Sequence, residues 1–541
     1  MGLVQTYSYK KEFLDHIKNY KYGLNWPVVY IIRGEKEAYV GESTRVYKRC
    51  LEHFKNKNRV KLDKIDIISD YDFNKSVTLD FESMMIEYMA ADGKYLLQNG
   101  NNGLRQREYY NKEKYEEKFE AIWNELKEKD IVVRGLFEIR NSDLFKYSPY
   151  KSLTSEQYEV VESIVDNILN NEKSNNLIQG EPGTGKTIVA IYLMKYLIEN
   201  EKTKDMKIGL VVPMTSLRST LKKVFRNVKN LKSSMVIGPS DVVLGDYDIL
   251  IVDEAHRLSR RVNISYMRSF DECNRKLGLN EDNDQLDWIR LSTKHMVLCY
   301  DKNQSIKPSD VRPEKFEKIQ FTKFKITSQM RVLAGEDYIK YIEDILNQTQ
   351  EQVKEFGNYE LFLFDDLGEM HEQIKIKDKK YGLSRIISGY AFEWKSKNNP
   401  KEYDVVIGEK KLRWNSIAKD WINSENAINE VGCIHTTQGY DINYAGIILG
   451  NEIVYRNNKI EVIKENYYDK NGKRTISNEN ELKKYILNIY KTLLTRGIRG
   501  TYIYVCDDEL RRYLKKYINT FNSTYKVLEK EIINKEITIT K

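Results

Sequence analysis

The sequence predicts an α/β protein built mostly on parallel sheets, and three observations predict it. An apolar strand (Leu177, Ile178) runs into the loop GEPGTGKT, residues 180–187, and an apolar helix (Ile188, Val189, Ile191, Leu193, Leu197) leaves it. Farther on, DILIVDEAH, residues 248–256, reads as a buried strand ending in two carboxylates. From Leu153 onward, strand-like and helix-like segments alternate, as they do where parallel strands are joined by crossover helices.

The loop carries the first chemistry. Gly180, Gly183 and Gly185 let the backbone curl so that successive N–H groups, Thr184 among them, face an anion. The positive end of the helix that starts near Thr187 adds to that field. Lys186 reaches outer phosphates, Thr187 and Asp253 are placed to hold Mg²⁺, and Glu254 to polarise an attacking water. ATP with Mg²⁺ is the expected ligand. Gln157, in LTSEQ, either reads an adenine edge or closes a capping box. Gln304, at the end of the apolar strand VLCYDKNQS (297–305), is placed to sense a γ-phosphate.

The first hundred residues read differently. Residues 27–43 form two β-rich runs around a turn at Gly34, a predicted hairpin. The helix that follows carries Arg49 and His53 four apart, on one face. A strand (Ile65, Ile67, Ile68) and a helix over about 76–91 come next, with Glu82 set among Leu79, Met84, Met85 and Ile86. Over residues 26–105 this pattern resembles the GIY-YIG nuclease domain. Its triplets appear as Val28-Val29-Tyr30 and Tyr39-Val40-Gly41, with Asn99 matching a late asparagine. Val28 for the first glycine and a short hairpin are departures. The resemblance implies a single-Mg²⁺ phosphodiesterase. In it Glu82 would hold the metal on a phosphate, Arg49 would neutralise the transition state, and Tyr30 would activate water with Tyr39 or His53 orienting it.

Residues 106–150 predict a helical connector with one apolar stripe (Tyr115, Phe119, Ile122, Trp123, Leu126). It is expected to dock on a domain surface and carry no chemistry. Beyond the carboxylate strand, SQMR (328–331), HTTQGYD (435–441) and YKTLLTRGIRG (490–500) resemble motifs IV, V and VI of superfamily 1 helicases. That resemblance implies two RecA-like parallel-sheet lobes, with Arg331 and Arg496 clasping the triphosphate from the second and Gln438 and Gly439 contributing to the nucleotide site. Asp441 stands where that superfamily has glutamate. SGYAFEWKS (388–396) and LRWN (412–415) further resemble the bacterial helicases related to the Schlafen group 3 helicase domain, over about residues 151–525. Tyr390, Trp394 and Trp414 are expected to fill the second lobe's core. Arg218, Lys222, Arg226 and Lys229 share one face of a helix within 215–232, either a cation track for a nucleic-acid strand or a solvated face.

Composition is compatible with this reading. With 41% hydrophobic residues the 541-residue chain can bury a sizeable core, and its net charge of +8 suits nucleic acid without requiring it. Five scattered cysteines suggest neither a disulfide framework nor a zinc site, and no run is long enough to cross a bilayer. A cytoplasmic protein is expected, and the Lys/Asn/Ile/Tyr-rich composition suits a low-GC bacterium or its virus. The expected domains are 1–105 (nuclease), 106–150 (linker), 151–322 (first lobe) and 323–541 (second lobe). The expected function is an ATP-driven motor coupled to a nuclease, with DNA favoured over RNA, in antiphage defence. The alternatives are an ATP-switched clamp with an inactive nuclease domain and an RNA-directed enzyme.

Overall fold

The computed structural model describes residues 2–100, 109–417, 420–437, 440–474, 476 and 478–522. Its architecture is mixed α/β, arranged on three main sheets. The N-terminal sheet holds β1 (Val4–Ser8), β2 (Val28–Arg33), β3 (Glu37–Ser43), β4 (Lys64–Ile68) and β5 (Leu96–Leu97) in the order β1-β4-β2-β3-β5. The predicted hairpin is present, with Tyr30 opposite Gly41 in its antiparallel register. Strands β1 and β5 have no counterpart in the sequence reading. The first is a short edge strand, and the second is two residues long.

Helix α1 (Leu14–Lys18) precedes the hairpin; α2 (Val46–His53) and α3 (Lys75–Asp92) follow it. Asn74 caps α3 through its side chain, and Gly93 ends it at φ +75°, a left-handed conformation suited to glycine. The connector forms three helices: α4 (Lys112–Glu128), α5 (Leu136–Arg140) and α6 (Asp143–Lys146). Every residue of the expected α4 stripe is buried. Its rings pack on α3, with Phe81–Phe119 and Tyr88–Trp123 centroids 5.5 and 5.7 Å apart. Glu125 of α4 also accepts from the backbone N–H groups of Leu3 and Val4 at the start of β1. One apolar core therefore runs from the N-terminal sheet through the connector into the central sheet.

The central sheet is wholly parallel: β6 (Ser174–Gly180), β7 (Ile208–Val211), β8 (Val236–Ile237), β9 (Tyr247–Val252), β10 (Thr293–Tyr300) and β11 (Thr322–Ile326), ordered β11-β6-β10-β9-β7-β8. Helices α7 (Ser155–Asn170), α8 (Lys186–Glu199) and α9 (Thr215–Arg226) belong to this part of the chain. The C-terminal sheet contains β12 (Glu360–Phe364), β13 (Arg385–Ser388), β14 (Val405–Ile407), β15 (Lys410–Trp414), β16 (Glu430–Cys433) and β17 (Ile442–Leu449). The hairpin β18 (Ile453–Arg456) and β19 (Lys459–Val462) stands apart, and β20 (Gly497–Val505) completes the large sheet. Its order is β12-β20-β17-β13-β16-β15-β14, parallel except at the β14–β15 edge. Buried strands of such sheets read as unbroken apolar runs, which is why DILIV and its neighbours were legible.

Candidate functional site

The phosphate-loop sequence occupies the carboxyl end of β6, the end at which open parallel sheets hold their ligands. Gly183 and Gly185 have φ of +87° and +81°, a region side chains disfavour. A Cβ on Gly180 would meet Thr184 Oγ1 at 2.5 Å. Lys186 begins α8 and donates through Nζ to the carbonyls of Gly180 (2.7 Å) and Glu181 (2.8 Å). The Thr187 hydroxyl donates to Asp253 Oδ2 at 2.9 Å, while Asp253 Oδ1 is buried without a hydrogen-bond partner. Burial and the neighbouring Glu254 push the Asp253 carboxyl up to about 7. That orphaned oxygen beside a threonine hydroxyl fits a hard divalent cation.

Glu254 sits at φ +51°, a strained left-handed position at the end of the strand. Its carboxylate lies 3.0 Å from His256 Nε2. Burial opposes its ionisation, yet His256, Lys186 and Arg257 together hold it down to about 2. Gln304 donates to Asp301 Oδ2 at 2.9 Å, and that carboxylate lies 4.0 Å from Lys186 Nζ. Gln157 is fully buried. Its Oε1 closes the capping box on Thr154, and its Nε2 donates to Thr184 O and Met330 Sδ, both at 2.9 Å. The amide thus braces the loop, and both of its N–H donors are spent.

Segment 328–331 lies against the same loop. Met330 N donates to Gly183 O at 2.9 Å, and Gln329 Nε2 to Pro182 O at 2.8 Å. A Cβ on Gly183 would touch Arg331 Cβ at 2.8 Å. Arg331 pairs through Nε with Asp441. Burial works against ionising Asp441, but Arg331, Lys146 and Arg496 keep its carboxyl below the ordinary range. Arg496 is 2% exposed and donates to Tyr440 O at 3.0 Å. Burial and Arg331 lower its pKa to about 10, opposed by Asp441 and Glu254. Two arginines carried by the C-terminal part of the chain thus gather, with Asp441, at the loop of the central sheet. Gln438 and Gly439 lie outside the described residues.

A cleft of about 760 Å³, the channel of the proposal below, is lined from both the central and the C-terminal parts of the chain, by Arg218, Trp288 and Lys307 and by Tyr390, Trp394 and His435. The aromatic expectation is corrected in part here, since Tyr390 and Trp394 pack against the C-terminal core without being enclosed by it. Trp414 is buried, but Tyr390 and Trp394 are partly exposed and open onto this channel. The expected basic stripe is divided and shorter than read: α9 ends at Arg226, so Lys229 lies beyond the helix. Arg218 reaches the channel while donating to Val212 O at 2.6 Å, and Lys229 lies 3.8 Å from Glu37 of β3. Arg226 is exposed and Lys222 half-buried. Between them, Thr220 hydrogen-bonds Tyr440 (2.8 Å) and Lys223 pairs with Asp420 (2.6 Å).

In the N-terminal sheet, Tyr30, Tyr39, Arg49 and His53 converge. His53 Nε2 lies 2.7 Å from Tyr30 Oη, and the rings of Tyr39 and His53 are 5.1 Å apart. Arg49 is exposed and bonds Glu52 at 2.7 Å, near enough to Tyr30 to favour its ionised form. Burial nonetheless pushes the Tyr30 phenol well above its usual value. His53 is driven down to about 3 by burial and by the charges of Arg59 and Arg49. Asn99 bridges Val40 through both its amide atoms. Glu82 is half-buried on α3, which packs across β2 and β3. Among the described residues, no three His, Cys, Asp or Glu side chains form a metal cluster.

The sequence reading missed Gln329, Glu156, Asp301 and Arg59. Glu156 accepts from the backbone and hydroxyl groups of Thr327 and Ser328, tying α7 to the segment that carries Arg331. Gln329, Glu156 and Asp301 lay inside quoted motifs but were given no role; Arg59 carried no local signal.

Two mostly parallel sheets whose phosphate loop and basic residues meet in this way define a helicase-like α/β protein. The model of the Schlafen group 3, DNA/RNA helicase domain matches residues 173–507, and the chain belongs to that family. The chain is 29% identical over 390 residues to the uncharacterized protein YPL245W of Saccharomyces cerevisiae, covering 62% of this chain and 83% of that protein. Among solved structures it is similar to Pif1 helicase from Bacteroides in complex with ADP-AlF3 and ssDNA (12% identity, 71% of this chain and 97% of that one, TM-score 0.29). It is also similar to Arterivirus nonstructural protein 10, a helicase solved with DNA (13% identity, 65% of each chain, TM-score 0.30). Superpositions this loose carry no argument of their own.

Proposed function

We propose that the chain is an ATP-driven nucleic-acid motor joined to a Mg²⁺-dependent GIY-YIG-type endonuclease. The domains are then 1–105 (nuclease), 106–150 (linker), an ATP-binding lobe from 151 and a second lobe to 541; the expected boundary at 322 is moved past β11, because residues 322–326 pair with β6 in the central sheet. The observation that carries the motor is the gathering of Arg331 and Arg496 beside the loop that holds Lys186 and Thr187 and the β9 end that holds Asp253 and Glu254. In this reading the loop N–H groups and Lys186 bind the phosphates of ATP, and Thr187 and Asp253 hold Mg²⁺, which supplies charge neutralisation when bound. Glu254, kept ionised, orients the attacking water, and the two arginines offset charge that grows in the transition state.

The strand would occupy the 760 Å³ channel, where Tyr390 and Trp394 offer stacking faces beside Arg218 and Lys307. Because Thr220 of α9 bonds Tyr440, closure of the two lobes around ATP would act directly on a helix that borders the channel. The nuclease rests on the convergence of Tyr30, Tyr39, Arg49 and His53, with Glu82 as the metal ligand. DNA is the favoured substrate, and a cytoplasmic antiphage role in a bacterium is the biological setting suggested by the sequence resemblance alone.

The test is direct: purified protein with Mg²⁺, with and without ATP, on labelled single-stranded, duplex and forked DNA and RNA. Strand separation or translocation that requires ATP supports the motor, and metal-dependent nicking supports the nuclease. A protein that binds strands in an ATP-dependent manner, without hydrolysis or cutting, is a clamp and contradicts both.

A further inference from the structure

We infer that Arg59 is a positioning residue of the candidate nuclease centre: it fixes the ring proton of His53 on Nε2 and so makes His53 a hydrogen-bond donor to Tyr30. The inference rests on the nuclease reading above and adds to it a residue and an orientation that the sequence did not reveal.

The geometry leaves little choice. Arg59 lies in the 3-10 turn Arg59–Lys61, and its guanidinium stands 2.5 Å from His53 Nδ1. A guanidinium has donors and no acceptor and keeps its proton throughout the working pH range, so Nδ1 must present a lone pair. A neutral imidazole with Nδ1 bare carries its hydrogen on Nε2. Nε2 is 2.7 Å from Tyr30 Oη, and the phenol oxygen therefore accepts. The opposite tautomer would set an N–H of His53 against an N–H of Arg59.

Other contacts hold this chain of bonds in place. The guanidinium of Arg59 lies over the Tyr39 ring, 3.6 Å from its centroid, so a second tyrosine of the cluster fixes the arginine. On the far side, a Cβ on Gly41 would meet Tyr30 Oη at 2.4 Å, which pins the phenol tip against β3 and explains the glycine there. The charged groups facing His53 are Arg59 from the turn and Arg49 and Glu52 from its own helix; Tyr30 and Tyr39 face it from the hairpin. His53 is then not the base that takes the Tyr30 proton. It is a donor that, with Arg49, holds the Tyr30 oxygen in place and favours negative charge on it; the phenol proton must leave to solvent before that oxygen can take one from a water.

The experiment uses the full chain with ¹⁵N-labelled histidine rings. The sequence has six histidines, and loss of a signal in His53→Gln assigns the residue. Long-range ¹H–¹⁵N spectra of the wild type near neutral pH should show His53 protonated on Nε2 alone. In Arg59→Ala that signature should give way to a tautomer mixture that titrates nearer the ordinary histidine range, and Arg59→Lys should restore it in part. Nicking by Arg59→Ala should fall about 10- to 100-fold in kcat with KM little changed, and recover in Arg59→Lys. The thermal midpoint of each variant reports whether it is folded. A wild-type His53 protonated on Nδ1, or a ring spectrum unaltered in folded Arg59→Ala, overturns the inference. If the wild type cuts no substrate, the nuclease reading falls and takes the catalytic consequence with it. The ring spectra still decide whether Arg59 sets the tautomer.

Discussion

Thr187, in the first turn of α8, donates its hydroxyl to Asp253 Oδ2 at 2.9 Å and leaves the other carboxylate oxygen buried and unpartnered. A loop and a strand end 66 residues apart are thereby held together, as the proposed Mg²⁺ site requires. Replacing Thr187 by Ala should weaken Mg²⁺-dependent ATP hydrolysis at least about tenfold, and raising the Mg²⁺ concentration should recover part of it. Mg²⁺ titrations of the hydrolysis rate check this; an unchanged midpoint would remove Thr187 from the site.

Arg496 is buried, close to Glu254, Arg331 and Asp441, and in the proposed motor it would stabilise the transition state of hydrolysis. Arg496→Ala should lower kcat for hydrolysis about a thousandfold while nucleotide affinity changes little. Equal losses in binding and turnover would show that the arginine serves the ground state or the fold.

Tyr390 and Trp394 open onto the channel shared by both sheets. Stacking on such rings contributes about 1–3 kcal/mol per base. Each alanine variant should therefore raise the Kd for a single strand about 5- to 150-fold, as measured by fluorescence anisotropy at fixed salt. Trp414→Ala, by contrast, removes a buried ring whose indole donates to Phe392 O at 3.1 Å, and should register as lost thermal stability.

The two candidate active sites share no reacting residue. Glu82→Ala should abolish nicking and leave ATP hydrolysis at the wild-type rate, and Lys186→Ala should do the reverse for any ATP-independent nicking. Loss of both activities in either variant would contradict separate sites.

His371 provides a pH test of the C-terminal sheet. Its Nε2 donates to Ile428 O at 2.8 Å, and burial, aided by Lys410 and Lys375, pushes it down to about 4. Unfolded histidine titrates near its ordinary value, so between the two the unfolded chain binds more protons. The stability tied to neutral His371 is complete above about pH 6.5 and is lost as pH falls towards 4, about 2 kcal/mol by pH 5. Thermal midpoints of wild type and His371→Gln between pH 7 and 5 test this; the variant should show the shallower decline.

What the sequence made legible was local. The loop of residues 180–187 is bounded by its own strand and helix, and the α4 stripe declares itself by 3-4 spacing. The need for Gly41 became visible only in register with Tyr30 across the hairpin. Arg331 finds Asp441 across 110 residues, and Lys146 of the connector donates to Asp441 O across 295. No periodicity encodes such polar pairs. Asn141 likewise bonds Tyr381 O. The connector therefore touches the C-terminal part of the chain as well as α3, where a helix docked on a single surface was expected. Tyr390 and Trp394 were read as core because an aromatic residue's exposure depends on neighbours that only the fold supplies.

The most direct measurement is steady-state ATP hydrolysis by wild type and Lys186→Ala, with and without a single-stranded oligonucleotide. The account predicts a wild-type rate that the strand raises severalfold and a variant rate near background in both conditions. A wild-type rate indifferent to DNA and RNA alike, or a variant that hydrolyses ATP normally, would contradict it.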